Sequence, residues 1–152
     1  FNSLKRNILV NRINNFLRTK SYSYLWLKGI TTKPSERYFK STSQHYNKKS
    51  SLNYFSERVE EIQNFQEINI VKIKFLILPY EYQTRNNCNN KLLFPQEKIK
   101  KIFIEKKVNF LDLTETFCNY NKPNKLYLNF DPVHLSIEGH EMVYEYLSKK
   151  LI

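Results

Sequence analysis

Ile70-Val71-Lys72-Ile73-Lys74-Phe75-Leu76-Ile77-Leu78-Pro79 is the stretch on which the fold turns. Apolar residues alternate with Lys72 and Lys74, then run unbroken through 75–78 until Pro79. That pattern reads as a strand moving from a partly exposed end into a buried centre, as in an α/β sheet. Beyond it, Asn86-Asn87-Cys88-Asn89-Asn90 is loop by composition. Pro95 suits the first position of a helix reaching Glu105, with Ile99, Ile102 and Phe103 turned inward. Residues 108–111 make a second short strand that ends at Asp112. Strand, loop, helix, strand is the order of a parallel crossover. The predicted class is α/β.

Upstream, Leu52, Phe55, Val59, Ile62 and Phe65 recur at spacings of three and four, which predicts an amphipathic helix capped by Ser50 or Ser51. Residues 31–51 are polar, interrupted by Pro34 and without periodicity, and read as a long loop holding His45. Residues 1–30 follow the helical period in part, through Leu4, Ile8, Ile13, Phe16 and Leu17. Tyr22-Ser23-Tyr24-Leu25-Trp26-Leu27 is an aromatic patch, read either as packing or, with the basic residues around it, as a partner or membrane-surface contact. The expected organisation is a helical and irregular segment over 1–51 and an α/β portion over 52–152.

At 152 residues the chain can build one domain with a sizeable core, to which eleven Phe and eleven Tyr bring large apolar area. The formal charge of +11 is spread along the chain rather than gathered in an arm. No zinc-finger, Gly-rich or basic-zipper pattern accompanies it, so nucleic acid is not the expected partner. Cys88 and Cys118 are compatible with one disulfide or with two free thiols, which leaves the compartment open. No apolar run approaches transmembrane length.

Chemistry concentrates near the end, in Phe130-Asp131-Pro132-Val133-His134-Leu135-Ser136-Ile137-Glu138-Gly139-His140. A turn through Pro132 can fold Asp131 onto His134, fixing the imidazole tautomer and leaving the other ring nitrogen as a base. Ser136 can cap a closing helix with Ile137, Val143, Tyr146, Leu147 and Leu151 on its buried stripe. Gly139 weakens that helix and implies a close backbone approach there. After the first strand, Tyr82, Gln83 and Arg85 stand where ligands bind in open parallel sheets, and are the candidate substrate-binding residues.

The string from Asp131 to His140, followed by an amphipathic helix, resembles the last block of the SGNH (GDSL-like) hydrolase and acyltransferase superfamily. Ile77-Leu78-Pro79 and residues 108–113 resemble that family's preceding strands, so the likeness spans 52–152. It implies a three-layer α/β/α sandwich with parallel strands, His134 as catalytic base and Asp131 as its orienting acid. His140 matches a common second histidine. The family's Gly-Asp-Ser nucleophile stretch and Gly-x-Asn-Asp block do not occur in the chain. The resemblance therefore implies a partial sandwich, the carboxyl-terminal part of a serine esterase or O-acyltransferase whose amino-terminal half lies upstream or on a partner chain. Its substrate would be a small-molecule or carbohydrate acyl ester, with no metal or organic cofactor. The rival expectations are a non-catalytic binding or structural module of the same fold and a basic nucleic-acid-binding domain.

Overall fold

The computed structural model describes residues 2–129 and 131–151, with side chains over 10–129 and 131–150; Phe130 and the side chains of Leu4, Ile8 and Leu151 lie outside them. The chain groups into two compact units, Phe1–Pro34 and Ser35–Ile152. In the first, α1 (Asn2–Lys20) and α2 (Tyr22–Thr32) meet at Ser21. The Ser21 side chain accepts the Tyr24 N–H at 3.2 Å, a direct N-cap. Asn14 Oδ1 receives both the Tyr24 hydroxyl and the Lys28 ammonium at 2.6 Å, tying the two helices together.

The second unit is mostly helical as well. Residues 31–51, expected as a loop, form the end of α2, then α3 (Pro34–Ser43), a 3-10 turn (Gln44–Asn47) and the start of α4 (Lys49–Asn69). Lys33 adopts φ 43°, which ends α2, and Pro34 opens α3 instead of breaking a helix. A proline in the first turn loses no hydrogen bond, because that N–H has no partner inside the helix. Phe39 of α3 is buried against Tyr80 and Tyr82, with ring centroids 5.6 and 5.3 Å away.

The expected sandwich does not form. Among the described residues the sheet has two strands, β1 (Phe75–Ile77) and β2 (Phe110–Asp112), parallel and paired Phe75↔Phe110, Leu76↔Leu111 and Ile77↔Asp112. The fold is a predominantly helical one with this minor sheet, not a three-layer α/β/α sandwich. The physical reason lies partly at Ile70. There α4 ends on a residue in the left-handed region, φ 54°, with an exposed side chain, and residues 71–74 only lead into the strand. With most of the chain committed to helix, no further strand among the described residues covers either edge of the pair.

Between the strands come α5 (Glu81–Arg85), a 3-10 turn (Asn90–Leu92) and α6 (Phe94–Glu105). One core cluster joins Val59, Ile77 and Phe103, with Phe55, Phe75 and Phe110 set around Phe103 at ring separations of 5.8, 4.8 and 5.4 Å. After β2, α7 (Thr114–Cys118), a 3-10 turn (Pro123–Lys125) and α8 (Ile137–Leu151) build a second cluster around Leu113, Phe117, Leu126 and Tyr127. Met142, Val143 and Tyr146 of α8 pack on it, whereas Ile137, expected in that stripe, is exposed. Cys88 and Cys118 are joined in a disulfide with Cα atoms 5.6 Å apart.

Asp112 closes β2 with its carboxylate 2.8 Å from the Lys100 ammonium and 2.9 Å from the Thr114 N–H. Burial pushes this carboxyl up, but Lys100 and Thr114 outweigh it and hold it below its ordinary range. A depressed folded-state value stabilises above the unfolded carboxyl's pKa, near ~3.9, and that stability is lost as pH falls through the folded value. Asp112→Asn should therefore cost roughly 1–2 kcal/mol at neutral pH and flatten the fall in stability below about pH 4. Urea melts of both proteins at neutral and acid pH test this; parallel pH profiles would refute it.

Candidate functional site

Residues 126–129 and 131–136 run side by side as a narrow hairpin that carries the acid and the imidazole. Tyr127 and Leu135 make an antiparallel bridge, Leu128 N–H donates to the His134 carbonyl at 3.0 Å, and Ser136 N–H donates to the Leu126 carbonyl at 3.0 Å. At its tip Asp131 Oδ1 accepts the Val133 N–H at 2.9 Å and the His134 N–H at 2.8 Å. The second oxygen, Oδ2, lies 2.9 Å from His134 Nδ1. One carboxylate thus folds its own turn and holds the ring that follows it.

The electrostatics match this geometry. Partial burial pushes the Asp131 carboxyl up, but the backbone donors of His134 and Val133, with the His134 ring, bring it below the usual range. An ionised Oδ2 accepts from Nδ1–H, so the neutral ring carries its lone pair on Nε2. That edge faces solvent, because the His134 side chain is 73% exposed. The pair stands on an open loop: the nearby groove of about 770 Å³, lined by Tyr120, Lys125, Ser136 and Glu138 among others, includes neither Asp131 nor His134.

Three anchors hold the hairpin. Ser136 Oγ donates to the Lys125 carbonyl and accepts the Gly139 N–H at 3.1 Å, capping α8. The Tyr127 hydroxyl donates to the Pro79 carbonyl, and the Glu81 N–H donates to the Pro132 carbonyl at 3.2 Å. Burial, with the Glu81 carboxylate nearby, raises the Tyr127 phenol, which keeps it a neutral donor. The acid–imidazole loop therefore rests on the segment that leaves β1.

That same segment contains Tyr82, Gln83 and Arg85, the candidate substrate-binding residues, each of which has partners within the fold. Gln83 is fully buried: Nε2 donates to the Leu92 carbonyl at 2.6 Å, Oε1 accepts the Tyr80 N–H at 2.6 Å, and its amide pairs reciprocally with that of Gln96 at 2.8 Å. Arg85 pairs with Glu81, and Tyr82 stacks on Phe39. Sequence reading missed Glu81, only 2% exposed in its side chain, with Oε2 lacking a hydrogen-bond partner among the described residues. Nothing in its spacing distinguishes it from a solvated loop acid. His45 and His140 are exposed and take no part in the pair.

Among the described residues no group of three or more His, Cys, Asp or Glu is arranged to hold a metal ion, and no helix is long and apolar enough to cross a membrane. The likeness to the SGNH superfamily does not survive. Its multi-stranded sheet is replaced by two three-residue strands in a helical fold. The serine esterase or O-acyltransferase reading that depended on it, together with its binding-module variant, falls with the sandwich. No family model matches the chain, and no curated protein or solved structure is found to match it.

Proposed function

We propose that Asp131 and His134 form a surface acid–base pair. The observation that carries this reading is the 2.9 Å contact of Asp131 Oδ2 with His134 Nδ1, made by a carboxylate whose other oxygen is already fixed by two backbone N–H groups. Neutral His134 would take a proton at Nε2 from a hydroxyl or water of a docked reactant. Asp131 would stabilise the resulting imidazolium without accepting the proton, and the ring would return it in a later step. Gln83 and Arg85 have a supporting part, keeping in place the segment on which Pro132 rests.

The three exposed histidines make an internal comparison possible. Diethyl pyrocarbonate acylates a neutral imidazole, and peptide mass spectrometry resolves the rate at each site. His134 should react faster than His45 and His140, and Asp131→Asn should slow it roughly tenfold, in line with the loss of an orienting acid. The asparagine amide can donate to Nδ1, so long-range proton–nitrogen correlation spectra should show the neutral tautomer change from Nδ1–H to Nε2–H. Equal rates at all three histidines, unchanged by Asp131→Asn, would overturn the assignment.

A further inference from the structure

We infer that the first unit is a docking surface for anionic lipid bilayers, lying on the membrane rather than crossing it. Residues 1–34 contain no Asp or Glu, while Arg12, Arg18, Lys20 and Lys28 are among their basic side chains. No residue from 10 to 34 is buried. Large apolar side chains are exposed instead: Tyr22 at 91%, Trp26 at 61% and Ile30 at 50%. These three recur every fourth residue and so form one row along α2. On α1, Ile13 and Phe16 share a face with Lys20, and all three are exposed.

The two properties together select the occupant. A helix whose apolar row is uncovered and whose charged side chains are all cationic gains on both counts at an anionic interface: the row enters the acyl boundary and the cations meet the headgroups. Trp26 and Tyr22 suit the headgroup level, and Lys20 has a stem long enough to lie along apolar surface with its ammonium in water. RNA would also attract the charge. Its bases stack on planar groups, however, and Val10, Ile13, Leu27 and Ile30 offer no stacking plane. The aliphatic share of the exposed surface therefore favours lipid. No described helix meets the length and apolarity needed to span a bilayer, so the contact is interfacial.

Trp26 is the only tryptophan in the chain, and its emission reports on this surface alone. The full chain, mixed with phosphatidylcholine vesicles containing phosphatidylglycerol, should show a blue shift and co-sediment. Pure phosphatidylcholine should give little of either, and high salt should weaken the anionic binding. Trp26→Ser with Ile30→Ser should reduce co-sedimentation roughly tenfold by removing buried apolar area, and Arg18→Glu with Lys20→Glu should reduce it by at least as much. Unchanged circular dichroism in these exposed-site variants would separate lost docking from lost folding. The inference fails if anionic vesicles leave the emission unmoved, if neutral vesicles bind equally well, or if single-stranded RNA produces the same shift and displaces the vesicles.

Discussion

Gly139→Ala is expected to destabilise the protein by about 2 kcal/mol or more, lowering its melting temperature by roughly 4–8 °C. Alanine at an exposed helical site would instead gain about 1 kcal/mol over glycine. The opposite sign follows from where α8 runs. A Cβ on Gly139 would overlap the Leu126 carbonyl oxygen and come within 3.1 Å of its carbon and 3.2 Å of Leu135 Cβ. That carbonyl accepts the Ser136 N–H and so closes the hairpin bearing Asp131 and His134. The obstacle is backbone, not a side chain that can swing away, and α8 must retreat or the hairpin must open. Denaturant unfolding measures the loss, with His140→Ala as a control on the same helix. An alanine variant as stable as the parent would show that α8 does not approach Leu126 this closely. In the folded variant, the His134 reactivity to diethyl pyrocarbonate should also fall toward that of His45.

The acid–imidazole contact was legible because it is local. The contacts between Asp131 and His134 are made within three residues: the carboxylate accepts two backbone N–H groups of the turn and meets the ring three positions on. That locality also explains the false family likeness. A short string whose contacts are internal to it can occur in many folds, and it carries no information about the sheet around it. The close approach at Gly139 and the cap at Ser136 were legible for the same reason, each being a requirement of one helical turn.

Fold class was not legible, because it depends on how many segments pair. Residues 70–74 have the alternation of a strand, yet α4 extends to Asn69 and ends at Ile70 in the left-handed region. A two-residue period over so short a stretch does not outweigh a preceding helix of 21 residues. Pro34 misled in the other direction, because a proline opening a helix and one interrupting it look alike in sequence. A polar residue placed just after a strand, as Gln83 is, suggests pocket lining, whereas the Gln83 amide is spent on Gln96, Leu92 and Tyr80. Only the three-dimensional neighbourhood distinguishes a buried amide network from a polar loop.

Reduction of the Cys88–Cys118 disulfide, or Cys88→Ser with Cys118→Ser, is expected to cost about 3.5 kcal/mol. The bridge spans a sequence separation of 30, and the loss of loop-closure entropy from the unfolded chain sets that scale. Its position gives the native state a stake as well. Asn87 and Cys88 are consecutive left-handed residues, φ 52° and 47°, in the tight exit from α5. The Cys88 N–H donates to the Gln83 carbonyl at 2.8 Å, so Cys88 is tied twice: by that bond back to α5 and by the bridge to α7, next to the fully buried Phe117. Asn87 tolerates the left-handed region, but Cys88 is a residue that local propensity disfavours there, and the covalent tie to the core keeps it in place. Without it, the turn and then the Gln83–Gln96 amide pair should loosen first, which hydrogen exchange at Gln83, Thr84 and Cys88 would register ahead of α6 and α8. Urea unfolding of the parent in dithiothreitol should coincide with that of the double serine variant in the absence of reductant. Two free thiols titrated in the native protein, or a parent whose unfolding midpoint ignores dithiothreitol, would show that the bridge is not part of the fold.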